Sequence, residues 1–310
     1  MYINLDNSFF DNKEYKLGEK IGSGGFANVY IAERIQDGAL FAAKIFRKES
    51  STQEQNMFLR SSLISKNLNH PCISKCYGIS FCGIKHPTQY RPTILMEYFP
   101  KGTLMDIIDN EKRSSAPIDW SPTKKIINLI GIAHAMKYLH SQGVIHRDLK
   151  SKTVLLDDNL YPHLGGFTFL RNFPRPLTLT NELDMSAGIG TPLYMAPELI
   201  KMEDNYGIGV DIYAFAIIAY EVASGLDVNN GRTTPYIHYK NVIQGIRPDF
   251  PDDMTKPMKD LISKCWNEDV DERLPFDVIY EKLTSDYKSY TQYDVDEDEV
   301  REYIDMLNDS

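Results

Sequence analysis

An aspartate in a His-Arg-Asp triplet is the strongest candidate for chemistry in this chain. The triplet, at 146–148, follows a long amphipathic segment over 126–141 and precedes the apolar run 154–156. This placement between a helix and a strand is typical of a catalytic loop, in which Asp148 would be the acidic residue. Lys44 is a second candidate, because it ends a strand-like run and its ammonium group could bind phosphate oxygens. A lone lysine at a strand end is usually only a solvated charge, so Lys44 needs support from a second feature.

A glycine-rich turn supplies that support. Gly22, Gly24 and Gly25 separate two strand-like segments, the second of which begins near Val29. Glycines allow the backbone to bend tightly and to bring its N–H groups close to a phosphate group. The turn alone would fit an ordinary hairpin equally well. Because it lies shortly before Lys44 in the chain, the two features together predict a phosphate-binding site.

The composition is that of a globular protein with an acidic surface. The chain has 310 residues, of which 42% are hydrophobic and 25% charged, and this suits one large domain or two lobes that share a core. A formal net charge of -9 argues against nucleic acid or an anionic membrane as the main partner. Much of the acid excess lies in the last stretch, over 294–309.

Cysteine and hydropathy patterns predict a cytoplasmic protein. Cys72, Cys76, Cys82 and Cys265 form no Cys-x-x-Cys pair and have no histidine pair at zinc spacing, so we predict reduced, mostly buried thiols. Residues 1–10 lack the basic and apolar regions of a signal peptide. No uninterrupted apolar run reaches the roughly 18 residues that a membrane span needs.

Strand-like patterns come first along the chain, and helical patterns follow. Short apolar runs separated by turns occupy most of the region up to about residue 99, with one helical segment over 52–68. Longer helical segments are predicted at 126–141, 211–224, 256–265 and 276–287.

This order predicts an α+β fold with two lobes. The smaller, β-rich N-lobe would cover about 15–99, and the larger, α-helical C-lobe about 100–286. Residues 1–14 are predicted to be a polar leader. Residues 287–310 are predicted to be an acidic, tyrosine-rich tail that forms a frayed helix or a linker.

The order of the motifs resembles that of the eukaryotic protein kinases over about residues 15–285. The glycine-rich turn, the strand-end lysine and the His-Arg-Asp triplet are followed at 191–198 by Thr-Pro-Leu-Tyr-Met-Ala-Pro-Glu, which matches the end of a kinase activation segment. His70-Pro71, Lys150 and the segment 265–273 are similar to the tyrosine-kinase-like branch, whose members usually phosphorylate serine or threonine. The resemblance implies a bilobal protein kinase-like fold and a cleft for ATP.

The resemblance also implies roles for individual residues. Lys44 would contact the α- and β-phosphates, and Asp148 would be the catalytic base. Val29 and Ala42 would form the roof of the adenine pocket, and Leu155 its floor. The full set implied to bind the nucleotide is Ile21, Gly22, Gly24, Gly25, Val29, Ala42, Lys44, Met96 (the gatekeeper), Glu97 and Phe99 (the hinge), and Leu155. The apolar members of this set are equally consistent with residues that only fill the space between two lobes.

Other retained residues have structural roles in the resemblance. Glu198 is implied to pair with Arg273 inside the larger lobe. Asp211 is implied to hold the backbone of the His-Arg-Asp triplet, while His146 and Phe167 are implied to be core residues.

Two positions depart from the kinase pattern at the metal site. Kinases have a magnesium-binding Asp-Phe-Gly where this chain has Gly166-Phe167-Thr168, and a second magnesium-binding residue, Asn, where it has Thr153. A hydroxyl and a backbone carbonyl are poor magnesium ligands compared with a carboxylate. We therefore predict no metal site and do not expect magnesium as a cofactor.

A third departure concerns the helix that follows Lys44, which in kinases carries a Glu that pairs with the lysine. Alignment backwards from His70 puts Ser61 or Arg60 at this position. Glu54 lies two turns earlier and is a weak replacement. The three departures together remove both magnesium-binding side chains and the acidic partner of the lysine.

Three functions fit this pattern. The first is a pseudokinase that acts by binding protein partners or by allosteric signalling, with ATP as a metal-independent ligand. The second is a weakly active Ser/Thr protein kinase that transfers the γ-phosphate of ATP to protein, since Lys44 and Asp148 are retained. The third is a structural scaffold with an empty cleft. In each case the expected partner is a protein, neither nucleic acid nor a membrane.

Overall fold

The structure, a computed structural model, describes residues 9–24, 27–47, 60–84, 90–167, 170–172, 191–203, 206–228 and 234–309. These residues belong to two compact units. The first unit takes its described residues from Met1–Asn69, Ile73–Pro100 and Phe167–Leu170. The second takes them from His70–Cys72, Lys101–Gly166 and Arg171–Ser310.

The first unit is built on an antiparallel five-stranded sheet with strand order β1-β2-β3-β5-β4. Strand β3 lies in the middle of this sheet and is buried along most of its length, as its apolar sequence requires. One helix, α1, is described over residues 60–66, within the helical segment predicted over 52–68. The strands are β1 Tyr15–Ser23, β2 Ala27–Arg34, β3 Leu40–Phe46, β4 Cys76–Cys82 and β5 Tyr90–Glu97.

The second unit is mainly helical, with short strand pairs β6–β9 and β7–β8. Its helices are α2 Leu104–Lys112, α3 Pro122–Ser141, α4 Pro197–Ile200, α5 Gly209–Ser224, α6 Pro235–Ile243, α7 Lys256–Cys265, α8 Phe276–Ser285 and α9 Glu297–Asn308. Its strands are β6 Val144–Ile145, β7 Val154–Leu156, β8 Pro162–Leu164 and β9 Arg171–Asn172. A β-rich unit and a helical unit confirm the predicted α+β fold.

Helix α5 is the central element of the second unit. Every residue from Gly209 to Val222 is buried, which matches the nearly unbroken apolar sequence of this helix. The helix ends at Ser224 and is capped by Gly225, whose backbone is left-handed with a φ of 65°. A glycine adopts this conformation without steric cost, and the helix ends at residue 224, as the sequence predicted.

The C-terminal segment differs from the frayed helix or linker that the sequence suggested. Residues Glu297–Asn308 form helix α9, which packs against α3 through Val300, Tyr303 and Leu307. The close approach of α9 to α3 depends on Gly131 of α3, because a Cβ there would lie only 2.2 Å from the Tyr303 hydroxyl oxygen. The acidic residues of this helix dominate its composition and concealed the apolar stripe that they flank.

The cysteines of the structure are all free thiols. Burial raises the pKa of Cys72 to about 12 and that of Cys76 to about 11, so both thiols stay protonated at neutral pH. Within the described part of the chain, none of the helices has the length and apolar character needed to cross a bilayer.

Candidate functional site

Asp211 positions the catalytic loop, which we define as residues 146–153. Its buried carboxylate accepts hydrogen bonds from the backbone N–H groups of His146 and Arg147, both at 2.9 Å, and contacts His140 Nε2 at 2.9 Å. Arg147 has a φ of 65°, which is costly for a residue with a long side chain. The two hydrogen bonds to one carboxylate hold the loop in this strained turn, as the resemblance implied for Asp211.

Asp148 is held by a lysine and a threonine. Lys150 Nζ lies 2.7 and 2.9 Å from the two carboxylate oxygens of Asp148 and donates to Thr191 Oγ1 at 2.6 Å. The Thr191 hydroxyl lies 3.4 Å from Asp148 Oδ1. The Asp148 side chain is only 12% exposed. These contacts hold its carboxylate in one orientation and place the positive charge of Lys150 beside it. This arrangement suits a group that accepts a proton from a hydroxyl.

The Thr153 hydroxyl forms hydrogen bonds with the backbone of the catalytic loop. Its hydroxyl oxygen accepts a hydrogen bond from the backbone N–H of Lys150 at 3.1 Å. The same hydroxyl has the carbonyl oxygens of Lys150 at 2.9 Å and Asp148 at 3.1 Å as acceptors for its single proton. The hydroxyl is therefore engaged with the backbone of its own loop.

Gly166 lies directly against Thr153. Its φ is 78°, and a Cβ built there would lie 2.3 Å from Thr153 Cγ2 and 2.7 Å from Thr153 Cβ. The preceding residue is also fixed, because Gly165 donates its N–H to the Thr153 carbonyl at 2.8 Å and accepts from His146 Nε2 at 2.8 Å. The threonine methyl therefore occupies the space that any side chain at position 166 would enter.

These residues do not fit magnesium. The position of the kinase metal-binding Asp has no side chain and no room for one, and the hydroxyl of Thr153 is used by the loop. Over the ranges that the structure describes, no group of three or more His, Cys, Asp or Glu side chains could hold a metal ion. Hard cations such as magnesium are bound by carboxylates and water, with near-ideal octahedral geometry.

The sheet of the first unit brings four of the residues expected to bind the nucleotide to one face. Val29 pairs with Lys44, and Ala42 pairs with Met96, in the antiparallel registers of β2–β3 and β3–β5. Paired residues point to the same side of a sheet, and Ala42 and Lys44 are two positions apart on β3. Ile94, which pairs with Lys44, shares that face.

The remaining expected residues have the following places. In the first unit, Ile21 is exposed on β1, Gly22 pairs with Val29, and Gly24 donates its N–H to the Ala27 carbonyl at 2.9 Å. Glu97 ends β5, Phe99 is buried two residues later, and Ser61 is buried on α1. Asp148 and Leu155 belong to the second unit. Gly25 and Glu54 lie outside the described residues.

The ion pair implied between Glu198 and Arg273 is present and buried. Arg273 donates to the two carboxylate oxygens of Glu198 at 2.7 and 2.9 Å, and also to the carbonyls of Gly209 and Asn267 at 2.8 Å. The arginine side chain is fully buried. All polar contacts of the pair lie inside the second unit, where they join α4, the start of α5 and the loop before α8.

A third buried carboxyl group, Glu221 on α5, was missed by sequence reasoning. It accepts a hydrogen bond from the Tyr194 hydroxyl, whose oxygen lies 2.8 and 3.0 Å from the two carboxylate oxygens, and another from Ser151 Oγ. Ser151 belongs to the catalytic loop, and Tyr194 follows Thr191 by three residues, so Glu221 ties these two segments to the central helix. A single acidic residue within the apolar run of α5 was the signal that could have revealed it.

We predict that Glu221 makes stability depend on pH. Burial raises the pKa of Glu221 to about 7 from its usual value near 4.5. Because its folded pKa lies above the unfolded one, its contribution is fully present below pH 4.5 and is lost as the pH rises through 7. Relative to Glu221→Gln, the wild-type free energy of unfolding should fall by about 2–3 kcal/mol over this interval.

Urea unfolding of both proteins at closely spaced pH values measures this difference. The comparison with Glu221→Gln is needed because buried histidines also make stability depend on pH. Burial lowers the pKa of His70 to about 3 and also lowers that of His134, so these two residues make the free energy of unfolding rise with pH. Parallel pH profiles for the two proteins would contradict the prediction.

Comparisons with known proteins agree with the motifs and with this loop. A protein-family model described as the protein kinase domain matches residues 15–283. A probable serine/threonine-protein kinase of Dictyostelium discoideum is 28% identical over 92% of this chain, which covers 20% of that relative. Dual specificity protein kinase pyk3 of the same organism is 30% identical over 87% of this chain, which covers 18% of pyk3.

A further relative, the probable serine/threonine-protein kinase drkC of Dictyostelium discoideum, is 30% identical over 88% of this chain and is itself covered to 35%. The chain thus spans about a fifth to a third of the length of these three relatives. Because the family model matches most of the sequence, from the first strand to helix α8, the chain belongs to the protein kinase domain family.

Proposed function

We propose that this chain is a pseudokinase of the tyrosine-kinase-like branch, which acts in the cytoplasm by binding a protein partner. The observation that carries the proposal is the contact between Thr153 and Gly166. The Thr153 methyl lies where a side chain at position 166 would have to pass, with only 2.3 Å to the Cβ that such a side chain would have. The residues at these two positions therefore fit each other, and together they leave the metal site without either of the side chains that bind magnesium in kinases.

Magnesium supplies much of the charge neutralisation and positioning in phosphoryl transfer. Without a ligand at positions 153 and 166, Asp148 would face a γ-phosphate that nothing holds in line with the attacking hydroxyl. Residues that maintain the fold are retained, as the buried Glu198–Arg273 pair illustrates. Loss of the metal ligands with retention of the scaffold favours a role in binding over a role in catalysis.

ATP is proposed as a ligand that binds without metal. The support comes from the first unit, where Val29, Ala42 and Met96 offer an apolar surface on the same sheet face as Lys44. Apolar contacts and a lysine can hold an adenine nucleotide when no metal bridges its phosphates.

An active Ser/Thr protein kinase is the second candidate. It is favoured by the contacts of Asp148 with Lys150 and Thr191, which give the carboxylate one orientation and a cationic neighbour. The names of the relatives, which are serine/threonine and dual specificity kinases, favour it as well. This candidate requires a metal anchor that positions 153 and 166 do not supply.

Thermal unfolding with ATP separates these candidates. A ligand that binds the folded state raises the melting temperature. We expect ATP to raise it equally with magnesium and with excess chelator. A shift that requires magnesium would contradict the proposal and favour the active kinase. No shift in either buffer would contradict nucleotide binding and favour a scaffold.

A phosphate-transfer assay tests catalysis directly. Radiolabelled ATP and a mixture of generic protein substrates should give no more incorporation with the wild type than with Asp148→Asn. Asp158→Asn, in the exposed turn between β7 and β8, is the matched control for purification and charge. Incorporation that is strong with the wild type and Asp158→Asn, and absent with Asp148→Asn, would overturn the pseudokinase proposal.

A further inference from the structure

The second unit contains a cavity of about 320 Å³ that the catalytic loop does not border. It lies between the end of α2, the start of α3, the end of α5, the start of α7 and the segment 290–293. Sites for small organic molecules begin at about this volume. The cavity is thus large enough for a ligand, and it is separate from the residues discussed for phosphate transfer.

Part of the cavity wall consists of buried apolar side chains. Trp120, Ile126, Leu129 and Met258 line it and are buried, with at most 8% of their surface exposed. Apolar side chains that border an empty volume lack contacts on that side. A ligand with an aliphatic or aromatic body would supply those contacts and displace water from an apolar wall.

The polar groups of the cavity carry an excess of negative charge. Glu111 accepts a hydrogen bond from Trp120 Nε1 at 3.0 Å and forms an ion pair with Lys125 Nζ at 2.5 Å. The charges of Glu111 and Lys125 therefore neutralise each other. Asp253 receives a neutral donor, Gln292 Nε2, at 3.2 Å. Among the described residues, Asp253 has no ion-pair partner, so its carboxylate can attract a cation into the cavity.

Aromatic residues also contribute to the wall of this cavity. Tyr290 and Tyr293 line the cavity, together with Trp120. Ring faces attract ammonium groups, and the attraction adds to that of a nearby carboxylate. Both tyrosines come from the acidic, tyrosine-rich segment for which the sequence offered no chemical role.

We propose that this cavity is a binding site for a small organic ammonium ion with an apolar body. The apolar body would lie against Trp120, Ile126 and Met258, and the ammonium group would pair with Asp253. A carboxylate ligand would be repelled by Asp253, and a neutral ligand would gain only the apolar contacts. The site depends on the segment 290–293 for one wall, so it exists only when this segment is packed.

The two tryptophans of the chain make the test specific to the site. Trp120 borders the cavity, whereas Trp266 is buried against Phe250 with ring centres 5.3 Å apart and does not border it. In proton–nitrogen correlation spectra, n-hexylammonium should shift the Trp120 indole signal in a saturable way. The Trp266 signal should stay in place and serves as the internal reference.

Matched probes and variants test the charge and the location. Hexanoate should give no saturable shift, and n-hexanol should bind more weakly than n-hexylammonium. Asp253→Asn keeps an oxygen acceptor for Gln292 and removes the charge, so it should weaken n-hexylammonium roughly fivefold and leave n-hexanol unchanged. Ala223→Leu, which fills part of the cavity, should weaken both.

The proposal is overturned if n-hexanol or hexanoate binds as tightly as n-hexylammonium, or if Asp253→Asn does not weaken the ammonium ion. It is also overturned if no probe shifts the Trp120 signal. An unchanged Trp266 signal in each variant shows that the helical unit is folded, so a negative result counts against the site itself.

Discussion

Replacing Arg273 with methionine should lower the free energy of unfolding by about 3–5 kcal/mol. The substitution leaves the Glu198 carboxylate buried without its cation and leaves the carbonyls of Gly209 and Asn267 without a donor. A charge inside a protein is far less well solvated than in water, so an uncompensated one is costly. Denaturant midpoints, measured with a constant denaturant slope, give the loss.

The double variant Glu198→Gln with Arg273→Met tests the cause. If the stranded carboxylate accounts for most of the loss, the neutral glutamine should recover a substantial part of it. Arg301→Met is the matched control, because Arg301 is exposed and so are its ion pairs with Glu297 and Asp298, and its midpoint should be close to that of the wild type. A loss no greater for Arg273→Met than for Arg301→Met would contradict the structural role of the buried pair.

Replacing Gly166 with alanine should lower the free energy of unfolding by about 2–5 kcal/mol. The left-handed backbone at this position, with a φ of 78°, strains any residue that has a Cβ. The new atom would also meet the side chain of Thr153, whose methyl and Cβ lie well inside van der Waals contact. Gly18→Ala, with its nearest neighbour at 3.4 Å and an ordinary φ, is the matched control and should change stability little.

A second substitution separates the two sources of cost at position 166. Thr153→Ser removes the methyl but keeps the hydroxyl that the loop uses, so Gly166→Ala should cost less in this background, by about 1–2 kcal/mol. Purely additive effects would show that the methyl does not occupy the position at all. The Gly166→Asp variant should likewise be less stable than the wild type. The aspartate alone should not restore a magnesium site, so the ATP-induced thermal shift of this variant should not depend on magnesium.

The fold could be predicted where the signal is local. Helix α7 has the predicted bounds, Lys256–Cys265, because an apolar stripe with helical period and a threonine cap specify it within a dozen or so residues. Helix α5 ends at residue 224 as predicted, since Gly225, which follows it, has no Cβ and adopts a left-handed backbone cheaply. Helix α9 was not recognised as a packed helix, because its burial depends on Gly131, far away in the sequence.

The candidate site also has some features that the sequence predicts and others that only the structure shows. From the sequence by itself we could determine the kinase-like order of motifs, the retained Lys44 and Asp148, and the loss of the magnesium-binding residue types at positions 153 and 166, because each is a residue type at a recognisable spacing.

Only the tertiary structure shows that the Thr153 side chain fills the space that a side chain at position 166 would enter. Only the structure shows, too, that Glu221 accepts hydrogen bonds from both Ser151 and Tyr194. Such pairs are set by how strands and helices pack across long sequence separations, to within fractions of an ångström. Residue types and spacing do not encode distances of that kind, so these contacts became visible only once the chain was folded.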